Sequence, residues 1–129
     1  MTASRLPLSC LPDVLAICRL AADAPFPSWA LRGEFVSITR TADELSVVCR
    51  CGDVPEGTRC VKNYRCIKVE GPLGFDLTGI ISSLTAVLAQ AGISVFAVST
   101  FDTDYILITE DRLEKAVAAL SQAGHDVRR

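Results

Sequence analysis

The chain has 129 residues, half of them hydrophobic, and a formal net charge of −2. That length holds one domain or two very small ones packed together, and the apolar share is enough for an ordered core. The slightly negative balance lacks the basic stripe of a nucleic-acid binder. No apolar run reaches the roughly 18 residues that a membrane span requires.

In chain order, the opening stretch is too broken by Pro7, Pro12 and Asp13 to read as a signal peptide, so a cytoplasmic location is expected. Residues 8–11 and 14–20 are apolar and separated by Pro12-Asp13. Pro25 and Pro27 exclude a regular helix around Trp29, which reads as a plug over one end of a core. Residues 35–39 and 44–51 are rich in strand formers, and residues 40–43 between them read as a hairpin turn. Gly52, Asp53 and Pro55 mark a further loop, and residues 64–70 alternate as a strand.

A helix is predicted from Asp76 to Ala91, with Asp76 as N-cap and Leu77, Ile80, Ile81, Leu84, Leu88 and Ala91 on one face. Gly92 stops it. Residues 93–100 and 105–108 read as strands around a turn at Phe101-Asp-Thr-Asp104. A second helix runs from Glu110 to Ala123, with Leu113, Ala116, Val117 and Leu120 inward, and residues 125–127 form a last short strand. The helices end in Leu88-Ala-Gln-Ala-Gly92 and Leu120-Ser-Gln-Ala-Gly124, an internal echo. From Tyr64 the order is βαββαβ, the ferredoxin-like unit, so the fold class is α+β. The first half reads as a worn copy of the same unit without its first helix.

Six cysteines stand at positions 10, 18, 49, 51, 60 and 66. Cys18, Cys49 and Cys66 lie inside apolar runs, where a thiol behaves as a small hydrophobe. The intervals around Cys49, Cys51, Cys60 and Cys66 do not match the short-gapped knuckles of structural zinc. Buried free thiols are expected, with no structural disulfide, no metal and no cofactor.

The glycines at 71, 74 and 79 either admit a ligand to the backbone at a helix start or make a tight strand-to-helix turn. Asp76 is either a ligand contact or the cap. Asp102 and Asp104 either bind an amino or guanidinium group or close a turn through their own backbone. Phe101 is either a lid or an edge residue of the core. His125, the single histidine, reads as a surface or strand-edge residue, and neither Cys66 nor Glu70 has a visible paired base. No enzyme is expected.

The stretch E-G-P-L-G-F-D-L-T-G-I-I, followed by L-A-Q-A-G-I-S-V-F-A-V-S-T-F-D-T-D-Y-I-L-I, resembles the small bacterial ACT-domain proteins related to the cytosolic arginine sensors of animals. The resemblance is specific over residues 65–108 and weaker over residues 8–56. It implies a degenerate ACT-like unit over residues 1–60 and a complete one over 61–129, in one compact body. It further implies a regulatory protein that binds a small molecule, an amino acid, and pairs with a second copy or a protein partner. The family's ligand loop falls on Gly71, Leu73, Gly74, Phe75, Asp76, Leu77 and Thr78, and its strand-to-strand turn on Ser99, Thr100, Phe101 and Asp104. The alternative is an ACT-fold interaction module without a ligand.

Overall fold

The computed structural model describes residues 5–71 and 79–129. The chain divides into two compact units, one of Met1–Pro12 with Arg65–Arg129 and the other of Asp13–Tyr64. The expected cut near residue 60 therefore misses one feature. The opening residues belong with the second half, and the strand-rich unit is inserted after residue 12.

The larger unit contains β1 (Pro7–Cys10), β5 (Cys60–Val69, from residue 65 on), α1 (Ile80–Gln90), β6 (Phe96–Ser99), β7 (Asp104–Thr109), α2 (Leu113–Gln122) and β8 (Asp126–Arg128). From β5 onward this is the βαββαβ order, but the sheet runs β6-β7-β5-β1-β8. A ferredoxin-like unit places its last strand beside its first. Here β1 is wedged between them, antiparallel to β5 with Leu8 opposite Val69, and parallel to β8 with Leu8 opposite Val127. The unit is therefore completed by a strand that precedes the insertion.

Both helices cover one sheet face. Leu8, Ile67, Val69, Ile106 and Ile108 from the strands meet Leu84, Leu88, Leu113, Ala116 and Leu120 from the helices in one core. Each fully buried aliphatic side chain there contributes roughly 1.5–3 kcal/mol. The helix α1 begins at Ile80 with Gly79 as its N-cap. The expected cap, Asp76, and the inward Leu77 lie outside the described residues.

The echo in sequence is an echo in geometry. Ile93 N–H donates to the Leu88 carbonyl at 2.9 Å and His125 N–H to the Leu120 carbonyl at 3.2 Å. Gly92 and Gly124 sit between, at φ +75 and +99. Each helix thus closes with its sixth-residue amide folded back, which a left-handed glycine permits.

The smaller unit contains β2 (Leu15–Leu20), β3 (Ser37–Arg40), β4 (Leu45–Arg50) and the first residues of β5. Its sheet order is β3-β4-β2-β5, antiparallel throughout. This is the second-third-first-fourth order of a ferredoxin-like unit. Where that unit has helices, this one has 3-10 turns at Ser28–Arg32 and Cys51–Asp53. Both helices are therefore replaced, not only the first. Cys51 opens the second turn rather than ending a strand, and Arg50 clamps that turn through two bonds to Asp53 at 2.9 and 3.2 Å. Ala16, Cys18, Ala30, Leu45, Val47 and Cys49 make its core, with Trp29 packed against them.

Strand β5 is longer than expected because it serves both units. Its pairing with β2 slips between Leu15, opposite Tyr64, and Ile17, opposite Val61. Asn63 absorbs the extra residue at φ 67, and its N–H donates to Cys51 Sγ at 3.5 Å. Asparagine tolerates this left-handed conformation better than most residues.

His125 is not a surface residue. It is 5% exposed, and Leu6 N–H donates to its Nδ1 at 3.1 Å, so the ring is held neutral across the start of the sheet. Burial lowers its pKa from the ordinary 6.5. Between the folded and ordinary values the unfolded chain binds the additional proton, so stability rises with pH there. The contribution is complete above about pH 6.5 and is lost as pH falls through the folded value. Glu70 and Glu114, both lowered from 4.5, act at more acid pH.

Two outcomes are expected. Urea midpoints of the wild type should drop between about pH 7.5 and 5.5, and His125→Gln should flatten that drop. Replacing Gly92 or Gly124 by Ala should cost roughly 1–2 kcal/mol each in chemical denaturation. An added Cβ meets nothing within 4 Å at either position, so the cost is one of backbone alone.

Candidate functional site

The β6–β7 connection is a turn built by threonines. Thr100 N–H donates to the Thr103 carbonyl at 2.8 Å, and Thr103 N–H donates to Thr100 Oγ1 at 3.3 Å. The hydroxyl of Thr100, not a carboxylate of Asp102, therefore does the local bonding that short polar side chains do in turns. Thr103 points inward and is 4% exposed, and its hydroxyl donates to the Val69 carbonyl at 2.5 Å. That bond ties the turn to the end of β5, two residues before Gly71.

At the base of the turn, Ser99 and Asp104 face each other as a cross-strand pair. Ser99 Oγ donates to Asp104 Oδ1 at 2.6 Å. A carboxylate has about four lone-pair directions, so one hydroxyl orients it without saturating it. Phe101 is 79% exposed at the tip and is not part of the core.

Beside Gly71, Glu70 is fastened to the sheet. Its N–H donates to the Pro7 carbonyl at 2.9 Å, and its Oε1 lies 3.3 Å from Lys68 Nζ. A hydrogen bond from Ser9, helped by Lys68 and Arg128, holds its carboxyl below the usual range. A carboxyl kept ionised in this way is poorly suited to act as a general acid near neutrality. Cys66 is fully buried, and desolvation pushes its thiol up to about 12, the reverse of an activated nucleophile. No group of His, Cys, Asp and Glu among the described residues is arranged to hold a metal ion.

Of the residues picked from sequence, Ser99, Thr100, Phe101 and Asp104 share the turn, and Gly71 follows the strand to which that turn is bonded. Leu73, Gly74, Phe75, Asp76, Leu77 and Thr78 lie outside the described residues. Thr103 was overlooked. Its position three residues after Thr100 across a polar turn was the available signal.

A family model described as an ACT domain matches residues 59–122, and a model of an N-terminal domain matches residues 13–57. A crystal structure of an Agobacterium tumefaciens protein superposes with a TM-score of 0.91 at 44% identity, covering 97% of this chain and 93% of that one. The chain belongs to the ACT-domain family. The mouse protein named cytosolic arginine sensor for mTORC1 subunit 1 is 36% identical over 115 residues, 79% of this chain and 32% of its own length. Its human counterpart is 37% identical over 60 residues, 46% of this chain and 18% of its own. This ACT protein thus spans at most about a third of the curated relatives it matches. The regulatory subunit of aspartate kinase from Thermus thermophilus shares the fold, with a TM-score of 0.62 at 12% identity over 94% of this chain and 99% of that one.

No described helix of this ACT chain is long and apolar enough to cross a membrane. If Thr103 is what moors the turn, Thr103→Val should leave the Val69 carbonyl short of a partner. The expected loss is about 1–3 kcal/mol in urea denaturation. Hydrogen exchange should quicken at the Thr100 amide while the amides of α2 keep their protection.

Proposed function

We propose that this chain is a cytoplasmic ACT-type regulatory module that binds an amino acid. The ligand sits on a rim made of Gly71, Leu73, Gly74, Phe75, Asp76, Leu77 and Thr78 on one side and Ser99, Thr100, Phe101 and Asp104 on the other. The observation that carries this reading is the carboxylate of Asp104, aimed by Ser99 at the foot of a turn that Thr103 moors to the end of β5. A fixed carboxylate recognises an amino or guanidinium group through charge-assisted hydrogen bonds. Backbone N–H groups at the start of the helical segment face the ligand's α-carboxylate, where the helix field favours negative charge. A zwitterion is then matched at both ends, with Phe101 over its middle. The relatives named as arginine sensors support an amino-acid ligand without choosing which one.

Thermal unfolding in the presence of each of the twenty amino acids at millimolar concentration tests this. A native-state ligand at a hundred times its Kd adds about 2.7 kcal/mol. At least one amino acid should raise Tm. Asp104→Ala should abolish that shift while costing the unliganded protein no more than about 1 kcal/mol, the scale of the single Ser99 hydrogen bond that is lost.

The exposure of Phe101 favours one other reading, an interaction module that engages a protein partner or second copy without any ligand. Flat Tm values with all twenty amino acids, together with partner capture that Phe101→Ser abolishes, would establish it instead.

A further inference from the structure

Three thiols of the smaller unit share one core cluster, and none belongs to the rim above. Cys18 and Cys49 are 2% and 0% exposed, while Cys60 is only partly buried. Cys18 on β2 stands directly opposite Cys60 on β5. Both Cys60 and Cys49 lie near enough to the Cys18 side chain to help raise its pKa.

The ladder decides which contact is bridgeable. On the next rung Arg19 N–H donates to the Arg59 carbonyl at 2.9 Å, which makes that rung the hydrogen-bonded kind. Rungs alternate in an antiparallel pair, so Cys18 and Cys60 occupy a rung without backbone bonds. Such rungs have Cα atoms about 4.5 Å apart and side chains at their closest. Disulfides span Cα separations of about 4.4–6.8 Å, so a bridge forms here without moving either strand. Cys49 faces Ala16 across its own ladder, and Cys10, in the larger unit, faces Ile67. Cys18 and Cys60 are the one directly opposed thiol pair among the described pairings.

We propose that Cys18 and Cys60 form a reversible oxidation site whose oxidant is a peroxide. The Cys60 thiolate attacks one peroxide oxygen, and the O–O bond breaks. Cys60 becomes a sulfenic acid, while the departing hydroxide takes up a proton as water. The Cys18 sulfur then attacks the Cys60 sulfur: the S–S bond forms, the S–O bond breaks, and the oxygen leaves as water with the Cys18 proton. Two thiols and one peroxide thus give one disulfide and two waters. A small-molecule thiol reverses it by exchange, being itself oxidised to a disulfide. Cys60 is the entry point because it alone of the three is reachable from solvent. Burial, with Cys49 and Cys60 beside it, pushes the Cys18 thiol up to about 12, so it is not the thiol that meets peroxide first, and its resolving role rests on its place directly opposite Cys60.

The test is a hydrogen peroxide titration of the full chain, followed by alkylation, intact mass and non-reducing peptide mapping. The expected first product is lighter by two hydrogens, keeps four of its six cysteines alkylatable, and links the peptides of Cys18 and Cys60. Dithiothreitol should restore all six. Cys18→Ser should stop at a sulfenic acid on Cys60 that dimedone traps, and Cys60→Ser should yield no such bridge. The mapping is read on the wild type, so it holds even where a variant folds poorly. A bridge between any other pair overturns the proposal. So does wild-type Cys60 driven to sulfinic acid with Cys18 still free, or six thiols surviving peroxide.

Discussion

The backbone ladder on the two sides of β1 is the constraint on which the larger unit depends. Leu8 is fully buried, and its strand bonds β5 on one side and β8 on the other. Without β1, the last strand of the βαββαβ unit has no neighbour at its observed place, and α2 loses the sheet edge it covers. Burial alone does not hold this arrangement. Asp126 N–H donates to the Leu6 carbonyl at 2.9 Å, while Leu6 N–H reaches the His125 ring. The chain crossing from α2 to β8 is thereby stitched to the residues that enter β1.

The same order of strands built twice shows what helices contribute. In the larger unit two amphipathic helices bury one sheet face. In the smaller one, small and sulfur-bearing side chains such as Ala16, Cys18, Ala30 and Cys49 fill the corresponding face beneath 3-10 turns. Leu45 and Val47 complete that cluster, with Leu20, Trp29 and Ile38 packed against it. Pro25 and Pro27 disfavour a regular helix leading into the 3-10 turn at Ser28–Arg32.

Much of this was legible in the residues, and the reasons differ by element. The helices were visible because Leu84, Leu88, Leu113, Ala116 and Leu120 recur at helical spacing and a glycine ends each run. The site's β6–β7 turn was visible because hydroxyl and acidic residues cluster between two apolar strands. The wedging of β1 was not, since strand pairing between residues this far apart leaves no local periodicity. The Asn63 bulge was hidden for a related reason: its cause is the register of β2, not the sequence around Asn63. Thr103 escaped because a buried hydroxyl and an exposed one look alike in sequence. Only the Val69 carbonyl, supplied by another strand, distinguishes them.

The insertion has a consequence for the order of events as the chain emerges from a ribosome. Asp13–Tyr64 is contiguous and can pair its strands as soon as it is made. The larger unit closes only when β8 arrives, with His125 standing 119 residues after its partner Leu6. Contacts that distant are slow to form, because loop closure must precede their reward. Until then β1 has one bare edge, an open template for other strands. The strand pairings of the inserted unit lie within residues 13–64, so its own sheet closes on contacts of shorter sequence separation.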